Sequence, residues 1–160
     1  MTVDSSVATE LERPAFKVRI ARSEVELDEI LTVRARVFRD EQAMIDRELT
    51  DSDDSISVHA YARQNGEVIA IGRLTPPSNV RPEGQIAWVA ALPEHRGGGA
   101  GSAVMDALLE IADEHRMPNV LISAQIHALP FYLRLGFAPY GDRFVVKGIG
   151  HQYMERRRPH

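Results

Sequence analysis

The sequence predicts a single α/β domain, and three observations carry that reading. An almost wholly apolar run, Gln85 to Leu92, has the pattern of a strand buried on both faces. A glycine-rich turn, Arg96 to Ser102, leads from it into a run with helical spacing, Ser102 to Arg116. A chain of 160 residues is long enough for one well-buried core and too short for two ordinary domains.

Taken in order, the chain opens with residues 1–14, expected to be a flexible N-terminus, and residues 1–13 lack the basic start and apolar stretch of a signal peptide. No later run is long enough to span a bilayer, so a soluble cytoplasmic protein is expected. Phe16 to Ile20 reads as an extended segment. Ser23 with Glu26 three residues on forms a capping box, and a helix should start there. Its apolar face is Leu27, Ile30, Leu31, Val37 and Phe38, and the pattern fades near Gln42. Arg34 falls inside that stripe and needs an acidic partner or an aliphatic packing role.

Residues 46–57, rich in Asp and Ser, read as a loop. The stretch Asp51-Ser52-Asp53-Asp54-Ser55-Ile56 lacks the turn glycine and the closing glutamate of a calcium loop. A solvated loop is expected, with a lid that attracts a cationic amine as the functional alternative. Ser57 to Arg63 and Glu67 to Leu74 flank Asn65-Gly66, the pair that suits a tight hairpin turn. Thr75 to Gly84 carries three prolines and reads as a loop before the buried strand Gln85 to Leu92.

The helix after the glycine turn sets Val104, Leu108, Ile111 and Ala112 against Asp106, Glu110, Asp113 and Glu114 on the other side. Asn119 to Ala124 is the next buried strand, and His127 to Leu135 is a short helix closed by Gly136. Phe137 to Met154 supplies two further strands around a Gly141-Asp142 turn.

A formal charge of −4 argues against a nucleic-acid binder, which needs a basic face, and favours a small-molecule partner. With no cysteine, disulfides, thiolate metal sites and cysteine nucleophiles are excluded. The six histidines have no metal-ligand spacing, so no metal is expected.

Chemistry concentrates in the glycine turn. Glycines allow φ > 0 and bring bare N–H groups close to a ligand, and the following helix adds the positive end of its dipole. This describes an anion cradle, with a ligand-free flexible turn as the alternative. Ser102-Ala103 stands where a Walker loop needs Lys and a hydroxyl residue, which disfavours a nucleotide hydrolase. Gly97, Gly99 and Gly101 have the wrong spacing for a dinucleotide fingerprint and sit late in the chain.

Read as R-x-x-G-x-G, that is Arg96, Gly99 and Gly101, the turn resembles the donor loop of the GNAT superfamily of acyl-CoA-dependent N-acyltransferases. The likeness runs over most of the chain. It takes in the strand Ile86-Ala87-Trp88-Val89-Ala90-Ala91, the loop and its helix, and the downstream segment from His127 through Phe131-Tyr132 to Leu135-Gly136-Phe137. The loop alone is a weak signal, whereas the ordered set is strong.

The resemblance implies one GNAT domain over residues 15–157: an α/β (α+β) fold with a central twisted mixed sheet of six to seven strands, flanked by about four helices. The fourth and fifth strands would splay to admit the pantetheine arm of acetyl-CoA, the co-substrate. Val89 and Ala91 would offer backbone groups to that arm. Arg96 and the backbone N–H groups of Gly97, Gly98, Gly99, Ala100, Gly101 and Ser102 would hold the pyrophosphate, in agreement with the helix-terminus argument. Val89 N–H matches the position that polarises the thioester carbonyl.

Tyr132 matches the family tyrosine that protonates the departing thiolate, although on spacing alone Phe131, Tyr132 and Leu135 also read as core. Several relatives use a glutamate as base eleven residues before the motif, where this chain has Gln85, an amide that cannot act as a base. Glu41 is one substitute, in Arg34-Ala35-Arg36-Val37-Phe38-Arg39-Asp40-Glu41-Gln42, which resembles the R-x-x-V-F-x-x-E-Q segment of a small bacterial subgroup where it borders the acceptor side. His151 is another, in Gly148-Ile149-Gly150-His151-Gln152-Tyr153-Met154, similar to that subgroup's ending, and His59 is a third. His127 would orient the co-substrate or cap its helix. Trp88 reads most simply as a core residue with a paired indole N–H.

The implied activity is direct transfer of an acetyl group from acetyl-CoA to a primary amine of a small molecule or peptide in a ternary complex. The alternative is a non-catalytic acyl-CoA sensor, kept open by Gln85. A homodimer would be ordinary for such a domain.

Overall fold

The computed structural model describes residues 16–43 and 48–159, so the expected flexible segment 1–14 lies outside the described residues. Strand β1 (Phe16–Ile20) leads into α1 (Glu24–Arg34) through the expected cap. Ser23 Oγ accepts the Glu26 N–H at 3.2 Å. Glu26 reaches back to the Arg22 N–H at 3.0 Å and the Ser23 hydroxyl at 2.9 Å, one residue earlier than in the usual box.

The helix does run to Glu41, but from Ala35 it widens into a π-helical segment, Ala35–Glu41. The wider turn still buries Val37 and Phe38 and ends with Glu41 and Gln42 at the sheet's C-terminal edge. Three α-helices are present among the described residues where about four were expected, the π segment continuing the first.

Strands β2 (Val58–Gln64) and β3 (Glu67–Thr75) form the expected hairpin, with Asn65 at φ 50° and Gly66 at φ 79°, as a type I′ turn requires. Strand β4 (Gly84–Ala91) is followed by the glycine loop and α2 (Ala100–Glu114). That helix starts two residues before the expected Ser102, because Gly99 at φ 89° is its N-cap. Strand β5 (Asn119–Gln125), α3 (Leu129–Arg134), β6 (Ala138–Val146) and β7 (Ile149–Arg157) complete the chain.

The last hairpin corrects one expectation. Its turn is Lys147-Gly148, with φ 49° and 80°, and Gly141-Asp142 lies inside β6. The register steps from Tyr140↔Tyr153 to Phe144↔His151, so Gly141, Asp142 and Arg143 together face Gln152. Gln152 Nε2 donates to the Tyr140 and Gly141 carbonyls at 2.7 and 3.0 Å. The positive φ of Gly141 thus serves a bulge.

All seven strands lie in one mixed sheet, in the order β1-β2-β3-β4-β5-β7-β6. The β4–β5 pair is parallel and short: Gly84↔Val120, Gln85↔Leu121 and Ile86↔Ile122, after which the strands part. A wedge therefore opens toward the C-terminal ends of β4 and β5. The helices lie on opposite faces. A Cβ on Gly72 would meet Leu108 and Val104 of α2 at 3.0 Å, whereas its neighbour Arg73 bonds the loop that also binds Arg34 of α1. No helix among the described residues is long and apolar enough to cross a membrane.

Candidate active site

The wedge, the glycine loop and α3 meet at one place. In β4 the register against β3 jumps from Arg73↔Ala87 to Ile71↔Ala90, which leaves Trp88 and Val89 opposite Gly72 alone. Trp88 takes φ 57°, a costly conformation for a bulky side chain. With β5 already departed, Val89 has no ladder partner on either side. Ala91 differs: it pairs with Ala70, and its carbonyl accepts Arg96 Nε–H at 3.0 Å.

Beyond β4 the chain makes a short 3₁₀ turn, Pro93–His95, and then the loop. Gly97 and Gly99 have φ of 82° and 89°. Gly97, Gly98 and Gly99 are exposed while Ala100 is buried, so the loop surfaces where α2 begins. Ala103 N–H is bonded to the Gly99 carbonyl at 3.0 Å, whereas Ala100, Gly101 and Ser102 occupy the first helical turn, whose N–H groups have no intrahelical acceptor. Gly99 offers no side chain to cap them, and the dipole adds positive potential at the same point.

Tyr132 lies on α3, which packs on β5, and its side chain is 6% exposed with edge contacts to Phe131 and Phe137. Burial pushes its phenol pKa well above the ordinary value, so the proton stays on oxygen throughout the neutral range. Both readings of this residue thus meet in one side chain: it is core and it is a protonated acid. His127 is exposed in the 3₁₀ turn that precedes α3, and no side chain caps either helix start, so a capping role for it is not seen.

His151 is buried and stacked on Phe144 at 5.6 Å, and it pairs across the ladder with Gln125. Its Nδ1 is 2.8 Å from the Ile149 carbonyl and so carries a proton, which leaves the Nε2 lone pair as the ring's acceptor when neutral. Cross-strand partners share a face, which places His151 with Gln125 and the π segment, on the opposite side of the sheet from α2.

Glu41 is ion-paired with Arg96 at 2.8 Å. Gln42 exchanges two amide hydrogen bonds with Gln125, each 3.1 Å. In the sequence Gln42 is visible only as the last letter of the R-x-x-V-F-x-x-E-Q segment, and Gln125 carries no signal at all.

The acidic loop is spent internally. Asp54 makes a forked pair with Arg34 at 3.0 and 3.1 Å and also accepts from Arg73 at 3.0 Å. Asp51 accepts from Arg73 at 2.5 Å and from the Trp88 indole at 3.2 Å, and Asp53 pairs with Arg81 at 3.3 Å. Arg34 is 1% exposed and lies 4.6 Å over the Trp88 ring. The loop is partly solvated, with Asp51 42% exposed, yet each of these three carboxylates also neutralises an arginine under or beside it. Arg73, a lone charge in the apolar run Val68 to Leu74, was the overlooked sign of this network. His59 belongs to the network and not to the wedge: its Nε2 bonds the Asp54 carbonyl at 2.8 Å, two strands away from β4.

Burial alone would raise the Asp54 carboxyl, but the bonds from Arg34, the Asp51 N–H and Arg73 outweigh it and hold it at about 2. Asp51 is lowered for the same kind of reason, its burial overcome by Trp88 and Arg73. Since the folded value lies below the unfolded one near 4, this stabilisation is fully present above about pH 4 and is lost as pH falls toward 2. Urea midpoints followed by fluorescence of Trp88, the single tryptophan, should stay level between about pH 5 and 7 and drop below about pH 4.

Comparison with known proteins agrees with this geometry. The family model described as the acetyltransferase (GNAT) family matches residues 24–137. An uncharacterised N-acetyltransferase of Bacillus subtilis, YjcF, is 28% identical over 140 residues, covering 87% of this chain and 98% of that protein. The UPF0039 protein sll0451 of Synechocystis is 33% identical over 135 residues, covering 83% of this chain and 87% of that protein. The crystal structure of an acyl-CoA N-acyltransferase from Pseudomonas aeruginosa superposes with a TM-score of 0.78 at 27% identity, over 88% of this chain and 97% of that one. The seven-stranded mixed sheet of this chain belongs to a fold shared with that crystal structure over most of both chains.

Proposed function

Because the chain belongs to the acetyltransferase (GNAT) family, we propose that it transfers an acetyl group from acetyl-CoA directly to a primary amine of a small molecule or peptide. The observation that carries this reading is a coincidence of place: the wedge between β4 and β5 opens where the first turn of α2 presents its unpaired N–H groups. The wedge would take the pantetheine arm, and the turn from Gly97 to Ser102, with Arg96 beside it, would take the pyrophosphate.

In the transfer the amine nitrogen forms a bond to the thioester carbon, the carbon–sulfur bond breaks, and the sulfur leaves with a proton. Val89, free of the ladder, supplies an N–H to the carbonyl oxygen as charge develops there. Tyr132, which burial keeps protonated to higher pH than an exposed tyrosine, gives its proton to sulfur from the α3 side. His151 Nε2, on the opposite face, accepts the proton lost by the ammonium, and the second proton that the nitrogen sheds as the amide forms passes through solvent to restore the Tyr132 phenol. Acid and base thus act from the two faces of one sheet, where donor and acceptor would approach. A cytoplasmic setting, where acyl-CoA is at hand, suits this chemistry.

Calorimetric titration should give one acetyl-CoA site per chain, and thiol release across polyamines, amino sugars, amino acids and peptides should single out one acceptor class. Absence of acetyl-CoA binding would retire the reading. Tight binding without release for any amine would favour the sensor, for which Gln85 in β4 speaks.

A further inference from the structure

Two consecutive residues at the end of the π segment hold the two lips of the wedge. Glu41 grips Arg96, just beyond β4, and Gln42 grips Gln125, the last residue of β5. Arg96 also opens the loop that, in the acyl-transfer reading on which this inference rests, receives the pyrophosphate. Its Nε is anchored on the Ala91 carbonyl, so its Nη2 can exchange partners while the root of the guanidinium stays in place. The ion-paired carboxylates of the acidic loop, of β3 and of the 3₁₀ turn serve other arginines: Asp51, Asp53 and Asp54 hold Arg73, Arg81 and Arg34, and Glu67 and Glu94 hold Arg36. Among the described residues Glu41 is the carboxylate whose ion-pair partner belongs to the donor loop.

We propose that Glu41 is a positioning residue for a cationic acceptor, withheld by Arg96 until the donor's pyrophosphate draws that arginine away. Before donor binding, one cation and one anion are paired. Afterwards the guanidinium faces pyrophosphate and the freed carboxylate faces the acceptor's ammonium, so charge is matched at both stages. The neutral Gln42–Gln125 pair takes no part in the exchange and keeps the π segment on the lip of the wedge. Binding is thereby ordered, donor first. The Arg96 and Glu41 side chains are 45% and 32% exposed, and an ion pair so open to water is worth only a few-fold in an equilibrium, weak enough for a multiply charged phosphate to displace.

The test is Glu41→Gln, measured by calorimetry with CoA and with S-acetylpantetheine, which has no pyrophosphate, and by turnover with a cationic amine found as an acceptor. Affinity for CoA should rise by about twofold to fivefold because the competitor for Arg96 is gone. Affinity for the pantetheine thioester should not change. The KM for the amine should rise by about tenfold with kcat nearly preserved. A merely structural role would weaken both ligands together. The proposal is overturned if Glu41→Gln leaves CoA affinity unchanged or lowers it, or shifts CoA and the pantetheine thioester alike. Failure of the wild-type protein to bind CoA would instead remove the acyl-transfer reading, and this proposal with it.

Discussion

Tyr132→Phe should lower kcat by about two to three orders of magnitude while leaving acetyl-CoA affinity nearly unchanged. The substitution removes one hydroxyl and keeps the ring that packs edge-on against Phe131 and Phe137, so the core around α3 loses nothing of its shape. Among the described residues no side chain bonds that hydroxyl, so its loss leaves no orphaned partner. Because burial raises the phenol's pKa, the protonated form persists to higher pH than for an exposed tyrosine. The alkaline limb of the wild-type pH–rate profile should therefore lie above about pH 10 wherever Tyr132 governs it. Stopped-flow thiol release with a good acceptor measures both quantities, and a Tyr132→Phe enzyme with full turnover would remove the acid assignment.

The second large effect is on stability. Asp54→Ala should destabilise the fold by about 3–5 kcal/mol, since it strips a buried arginine of its partner. Arg34 would keep one bond, to the Leu49 carbonyl, and lose the fork that balances its charge. Arg73 would retain Asp51 alone. The loop between the π segment and β2 would also lose the Asp51 N–H bond that closes its turn. Asp53→Asn in the same loop is the contrast: its partner Arg81 is about one-third exposed at 3.3 Å, and the cost should stay below about 1 kcal/mol. Urea unfolding of the two variants should separate them clearly, whereas equal midpoints would mean that burial of Arg34 does not set the cost. A loss of this size is a large share of an ordinary domain's total stability.

These two residues differ in how well the sequence disclosed them. Tyr132 could be singled out only from its setting between Phe131 and Leu135-Gly136-Phe137, since the spacing by itself describes core as well as catalyst. The need for a partner to Arg34 was legible, because a cation in an apolar stripe must be neutralised. Which acid answered was not, since the pairing spans 20 residues and depends on how the loop folds back. The hairpin at Asn65-Gly66 was plain, whereas Lys147-Gly148 hid behind the more turn-like Gly141-Asp142. Both glycines take positive φ, and only the register against β7 decides which is turn and which is bulge. The π segment was invisible because over seven residues its period is too near that of an α-helix to alter the apolar stripe. The left-handed Trp88 was equally hidden, for it arises where β4 must leave one neighbour and bulge against the other. The glycine loop at the start of α2 was legible from composition and order; the clasp of Glu41 and Gln42 across the wedge required coordinates.

The three residue pairs that join β4 to β5 divide the molecule into two leaves. One leaf holds β1 to β4 with α1 and α2 packed on them; the other holds β5, β7 and β6 with α3. Asp113 and Arg156 rivet the leaves at the closed end with a forked pair of 3.0 and 3.1 Å, and the glutamine pair does so at the open end. Each leaf carries its own helical backing, so the spine between them is the thinnest join in the architecture. An extended guest lying in that spine would stand in for the backbone contacts the two strands do not make with each other. Occupancy of the cleft by such a guest would thereby add to the cohesion of the whole domain.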